Sequence, residues 1–181
     1  MAQSASSVSN KEPYMIFRLG GRKFAVPISN VLEVIEGNNL TTLPQTSDYV
    51  VGISNFRGKV IPIINTLKRL SLPADNNQSG NGYIVVFEVE TDFGNKTFGA
   101  TVDKVLSVGD FLRSEIKEMD VLQPGVSSST TYIKGVIECD GEYVLVVMPS
   151  KFISADDFSD ISKMVSDNIW NNNNSNNVSK A

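Results

Sequence analysis

Acid, base and nucleophile chemistry has few carriers in this chain. Its 181 residues include no histidine. No imidazole can therefore serve as a base, a metal ligand or the middle member of a triad. Asp103 and Glu33 are lone carboxylates. Acid–base catalysis needs a second group beside such a residue, and neither has one in a recognisable pattern. Asp103 reads as a turn residue. Cys139, the single cysteine, stands among Glu138, Asp140 and Glu142. Negative neighbours raise a thiol pKa, which disfavours a nucleophile. A single cysteine also cannot form an internal disulfide or a Cys-rich zinc site. Gly20-Gly21 lacks the Lys-Ser/Thr and helix start of a phosphate loop. The expectation is no catalytic residue, no metal ligand and no cofactor.

Arg57 reads either as a partner contact or as an ordinary solvated hairpin-tip charge. It lies in Gly52-Ile-Ser-Asn-Phe-Arg-Gly-Lys-Val-Ile-Pro-Ile-Ile64, an Asn-x-Arg-Gly turn between two apolar runs. Asn55 can close the turn on its own backbone, and Gly58 can take a left-handed conformation. Arg57 then projects from a rigid hairpin. Its planar fork pairs with carboxylates at little entropic loss. Glu33 can pair with it within the fold. Pro62 has no N–H, so its strand is expected at an edge or beside a bulge.

The elements that hold this hairpin are mostly short strands. Met15 to Leu19 and Lys23 to Ile28 flank Gly20-Gly21. Val50 to Ile53 and Val60 to Ile64 are β-branched runs. Tyr83 to Val89 and Lys96 to Val102 flank Asp92 to Asn95. Tyr132 to Ile137 and Tyr143 to Val147 flank Asp140-Gly141, a strong hairpin signal. Val51, Ile53, Val60, Ile61, Ile63, Val85, Phe87, Val102, Val136 and Val146 read as packing positions. One helix is expected over 154–170. Ser154 caps it, Asp156 and Asp157 sit in its first turn, and Phe158, Ile161, Met164, Val165 and Ile169 form an apolar stripe for the barrels. Residues 1–13 and the Asn-rich 171–181 read as a disordered arm and tail.

The pattern repeats. Tyr14-Met-Ile-Phe and Tyr83-Ile-Val-Val-Phe each open a hairpin. Val31-Leu-Glu-Val34 recurs as Val105-Leu-Ser-Val108, and Tyr49-Val-Val-Gly52 as Tyr132-Ile-Lys-Gly135, at offsets of 69, 74 and 83. Two β-units of about five strands follow, roughly 14–75 and 83–153, joined near Leu72 to Gly82, where Asn76 to Gly82 is the clearest loop. With no helix to cover open sheets, closure into two small barrels removes the exposed edges. The net charge of −4 argues against nucleic acid or an anionic membrane as main partner. No run approaches the roughly 18–20 apolar residues of a spanning helix, and MAQSASSVSN has no apolar signal core. A cytosolic chain is expected.

The chain resembles the CheW-type chemotaxis coupling proteins. The resemblance rests on Phe17-Arg-Leu-Gly20, Val31-Leu-Glu-Val34, Leu43-Pro44 and Gly52-Ile-Ser-Asn-Phe-Arg-Gly58. Val60-Ile-Pro-Ile63, Val102-Asp103 with Val105, and Tyr132-Ile-Lys-Gly135 complete it. It covers residues 14–153 and implies two intertwined, SH3-like five-stranded barrels. It also implies a non-enzymatic adaptor linking the cytoplasmic tip of methyl-accepting chemotaxis receptors to the regulatory domain of the histidine kinase CheA, within membrane-associated arrays. By position, Glu33 and Arg57 match charged family residues of receptor coupling. Asn55 and Gly58 match the turn that presents the arginine, and Phe56 completes the expected receptor- and kinase-binding set. Two departures stand out. Asn65-Thr66-Leu67 replaces the family's usual Asp-Leu-Arg, and Met148-Pro149 replaces an acidic residue with Ile, so pairing should stop at the proline. About 28 residues follow Ile153, too few for a receiver domain, so a stand-alone module is expected. Three other readings remain: a coupling module of a variant, non-motility chemosensory system; a small-ligand barrel using Asp103 or Glu33; and an oligonucleotide barrel, for which only Phe56, Arg57 and Lys59 speak.

Overall fold

The computed structural model describes residues 10–37, 40–44, 46–73, 82–91, 94–118 and 132–178, with side chains as far as Ser166. The strands are β1 (Lys11–Leu19), β2 (Arg22–Pro27), β3 (Val31–Glu36), β4 (Val50–Phe56), β5 (Lys59–Ile64), β6 (Tyr83–Thr91), β7 (Gly94–Val102), β8 (Lys104–Leu112), β9 (Lys117–Glu118), β10 (Ile133–Cys139) and β11 (Glu142–Val147). A one-turn helix, α1 (Thr66–Arg69), follows β5, and α2 (Ala155–Val178) is the last element described. Three hairpins turn on two residues with positive φ: Gly20-Gly21 (56° and 74°), Arg57-Gly58 (51° and 80°) and Asp140-Gly141 (53° and 76°). That backbone matches the right-handed twist of the flanking strands.

The strands form two sheets, ordered β8-β1-β2-β11-β10-β9 and β3-β6-β7-β5-β4. Neither sheet belongs to one half of the chain. Hairpin β1–β2 pairs antiparallel with β8 and parallel with β11, while β6–β7 pairs antiparallel with β3 and parallel with β5. The halves exchange their opening hairpins, the intertwining that the resemblance implies. Each sheet then curls into a barrel. The chain beyond β3 crosses to the far edge, where Thr41 exchanges two backbone hydrogen bonds with Ile53 of β4, and β9 does the same against β10. Glycines admit both crossings. A Cβ at Gly52 would lie 2.3 Å from the Thr41 carbonyl oxygen, and one at Gly135 2.5 Å from that of Lys117. These are the glycines of the Tyr-x-x-Gly repeat.

The exchange follows from how apolar the opening hairpins are. Tyr14 and Ile16 fill one barrel with Ala25, Ile137, Val144 and Val146, while Met15, Phe17 and Leu19 face a core shared by both barrels. In β6, Ile84 and Val86 fill the other barrel with Ile61 and Ile63, while Val85, Phe87 and Val89 join the shared core. A strand buried on both faces needs cover on both sides, and the crossing supplies it. The shared core is pseudo-symmetric. Phe17 stacks on its cross-strand partner Phe24 at 5.7 Å, and Phe87 meets Phe98 at 5.6 Å. The true offset of β1 to β6 is therefore 70, pairing Phe17 with Phe87. The tyrosines mislead by one position: Tyr14 is buried and Tyr83 is exposed.

Other expectations shift in detail. β1 begins at Lys11, inside the expected arm, because Lys11 to Pro13 pair with Leu112 to Asp110. The helix continues through Val178 into the Asn-rich stretch, since each added residue gains a bond without a new nucleus. Residues 1–9 and 179–181, most of the loop 76–82, and Asp92 and Phe93 lie outside the described residues. Pro62 is on an internal strand, yet pairing of β5 with β7 starts only at Ile63, so its missing N–H breaks no ladder there. Val60 is a correction too, exposed instead of packed. After Val147 the chain leaves the sheet, and Pro149 begins a short 3₁₀ turn.

Candidate functional site

The tip of β4–β5 is assembled by its own backbone. Asn55 Oδ1 accepts the N–H of Gly58 at 3.0 Å, which holds the turn between Phe56 and Lys59. Arg57 stands on this turn and reaches Glu33 of β3, its Nη2 2.7 Å from Oε2. β3 and β4 are opposite edges of the five-stranded sheet. The ion pair therefore sits where the barrel closes, and only closure brings the two residues together. Both side chains stay open to water, Arg57 at 70% and Glu33 at 41% exposure. An ion pair this exposed contributes at most about 1 kcal/mol to stability, so its carboxylate and guanidinium are free to exchange partners at low cost.

Four of the five residues expected here meet at this tip surface: Arg57, Glu33, Asn55 and Gly58. Phe56 is placed differently. Its ring is 7% exposed, packed with Ile61 and Ile63 into the barrel that Ile84 and Val86 fill, and the Arg57 guanidinium lies 5.1 Å above it. It is a platform under the arginine and offers a partner little surface. Three apolar residues that the sequence reading did not single out are exposed on these strands: Leu32 and Val34, next to Glu33 in β3, and Val60, opposite Asn55 across the hairpin. Val34 points to the other face of the strand from Glu33. The sequence Val-Leu-Glu-Val-Ile-Glu does not alternate in polarity and reads as well as a helix start; its alternating exposure follows only from pairing with β6.

A second polar cluster fastens α2. Ser154 Oγ accepts the N–H of Asp157 at 3.1 Å, the expected cap. The Asp157 carboxylate also accepts from the hydroxyls of Ser47, Tyr49 and Ser154. Burial pushes this carboxyl up, but those three hydrogen bonds and the nearby Arg69 charge outweigh it and hold it below its ordinary range. Burial and the same contact raise the Tyr49 hydroxyl. Arg69 lies 4.9 Å over the Tyr49 ring and donates to the carbonyls of Phe152 and Lys151. Of the expected helix stripe, Ile161 is buried, Phe158 and Val165 pack on the shared core, and Met164 is half-buried. Ile169 lies beyond the described side chains. Where the departure Asn65-Thr66-Leu67 falls, Asn65 Oδ1 caps α1 by accepting from Lys68.

The remaining chemical candidates are structural. Asp103 Oδ2 accepts the N–H of Gly20 at 2.8 Å, and its own N–H bonds Arg18 O, so it pins the β1–β2 turn. The Cys139 thiol is raised chiefly by burial, then by Asp140, with Lys23 opposing; burial was the cause not anticipated.

A family model described as the CheW-like domain matches residues 13–157. The chain belongs to the CheW-like family. The chemotaxis protein CheW of Treponema pallidum (strain Nichols) is 26% identical over 160 residues, 86% of this chain and 91% of that protein. Protein FrzA of Myxococcus xanthus is 28% identical over 139 residues, 76% of this chain and 81% of that one. Among solved structures, the scaffolding protein TtCheW of Thermoanaerobacter tengcongensis superposes with a TM-score of 0.68, at 22% identity over 81% of this chain and 90% of that chain. The CheW-like fold, two barrels of mostly β structure with a C-terminal helix, is the one described above. No helix among the described residues is long and apolar enough to cross a membrane.

Proposed function

We propose that this chain is a non-enzymatic adaptor joining the cytoplasmic tip of methyl-accepting chemotaxis receptors to the regulatory domain of the histidine kinase CheA. It works in the cytoplasm and is recruited to receptor arrays at the membrane. The observation that carries this reading is the Arg57–Glu33 pair, exposed at the hairpin tip of a CheW-like fold. Arg57 and Glu33 are the contact pair, and Asn55 and Gly58 hold the turn that aims it. Tethering raises the local concentration of kinase beside receptor. Any effect on kinase activity requires contacts that differ between the kinase's two states. The similarity to FrzA favours, as a second reading, the same coupling role in a variant chemosensory system.

The test is capture of a receptor-tip fragment and of the CheA regulatory fragment by the immobilised chain. Wild type should hold both at about micromolar concentration. Arg57→Glu should weaken receptor capture about thirtyfold, the scale of one interface anchor. The swap Arg57→Glu/Glu33→Arg restores an internal ion pair and should not restore capture. Failure of wild type to hold either fragment rejects the adaptor. Full capture by a folded Arg57→Glu protein rejects the site.

A further inference from the structure

A second surface lies on the other sheet, away from Arg57. β2 and β11 run parallel but pair only at Phe24–Leu145 and Ala25–Val146. Above those pairs the tips of hairpins β1–β2 and β10–β11 stand side by side and enclose a notch of about 510 Å³, lined by Arg18, Gly21, Arg22, Lys23, Glu142 and Tyr143 among others. The register concentrates positive charge there. Lys104 of β8 lies directly across from Arg18 of β1, and Arg18 directly across from Lys23 of β2. Residues directly opposite in neighbouring antiparallel strands share a face, so three cations stand in one row, and Arg22 adds a fourth at the turn.

Like charges in cross-strand register are unfavourable, and the fold does little to offset them. Lys23 pairs with Glu142, whose carboxyl is held low by that bond and, less strongly, by Arg18. Among the described residues Arg18, Arg22 and Lys104 form no ion pair. Two other carboxylates nearby are turned elsewhere: Asp103 to the N–H of Gly20, and Asp140 to the Cys139 thiol. The chain as a whole carries −4, so this row opposes the overall charge. At the notch wall the Tyr143 ring is 66% exposed.

We propose that this notch docks an acidic polypeptide segment: its carboxylates pair with Arg18 and Arg22, with Lys104 adding to the field, and an apolar side chain rests on Tyr143. Guanidinium forks suit carboxylates. A peptide is favoured over a bilayer or nucleic acid because the cationic row is short and local, while the rest of a net-negative chain repels an extended anionic surface. The site is independent of the receptor contact proposed above.

Fluorescence anisotropy of a fluorescein-labelled peptide of ten residues, alternating Glu and Leu, tests it on the full chain. Binding should weaken with salt. Arg18→Gln/Arg22→Gln should cost about tenfold in affinity, the scale of two exposed charge pairs, and Tyr143→Ala a smaller loss. Arg57→Glu should leave peptide binding unchanged, which separates this site from the adaptor reading. Circular dichroism checks that each variant is folded; both substitutions are at the surface. Equal binding by wild type and the double Gln variant overturns the proposal. So does an inability to bind the peptide, or preference for phosphatidylglycerol vesicles or a DNA oligomer over it.

Discussion

At the scale of single residues, two carboxylates show how similar groups take different roles. Glu33 is exposed and paired with one guanidinium at the closure of a barrel. Its removal should cost less than about 1 kcal/mol in urea unfolding while altering partner capture. Asp157 is held by three hydroxyl donors and the Arg69 charge, and it ties α2 to the segment before β4. Its folded pKa lies below its unfolded one. Its ionised form therefore adds stability that is complete above the unfolded carboxylate value, about pH 4, and is lost as pH falls through the lower folded value. Asp157→Asn should lower the melting temperature at pH 7, and its gap from wild type should close towards pH 3. A gap that stays constant with pH would show that the charge plays no part. Ser154 and Asp157 were readable as a helix start. Ser47 and Tyr49 were not, because they reach Asp157 from about 110 residues away in the chain.

At the scale of elements, the repeated Tyr-x-x-Gly marks where each barrel closes. In both copies the register slips at the same place, between Val50 and Gly52 and between Ile133 and Gly135. The N–H of Asn65 bonds Tyr49 O just as that of Met148 bonds Tyr132 O. A methyl group at either glycine would drive into backbone, not into a flexible side chain. Gly52→Ala and Gly135→Ala should each cost about 1–3 kcal/mol in urea unfolding, whereas Gly21→Ser, at an open turn, should cost less. Equal costs at all three would place the constraint in conformation alone. The hairpin turns were legible because Gly-Gly, Arg-Gly and Asp-Gly each supply the required positive φ. The strand β3 was not, since Val31 to Glu36 acquires its identity only by pairing with β6 from the other half.

At the scale of the whole molecule, the hairpin exchange makes the halves interdependent. Neither 1–75 nor 76–181 contains a complete barrel, and each carries an opening hairpin whose two apolar faces need the other half. Expressed separately, each half should show little β structure and no cooperative melt by circular dichroism; mixed, they should recover both. Independent folding of either half would contradict the shared core described here. For the same reason the intact chain should unfold in one transition, since Phe17, Phe24, Phe87 and Phe98 pack in a single cluster.

The amino-acid order alone determined the periodicity, the turn chemistry, the duplication and the lack of imidazole, because each is a local property of neighbouring residues. It also marked Arg57 as a hairpin-tip residue with Asn55 beneath it. Which half supplies each barrel, that Glu33 meets Arg57, that Phe56 lies under the arginine, and that Lys104, Arg18 and Lys23 stand in one row were decided only in three dimensions. These depend on pairing between strands distant in the chain, where local preference is nearly indifferent and simultaneous burial of both faces of β1 and β6 selects the arrangement.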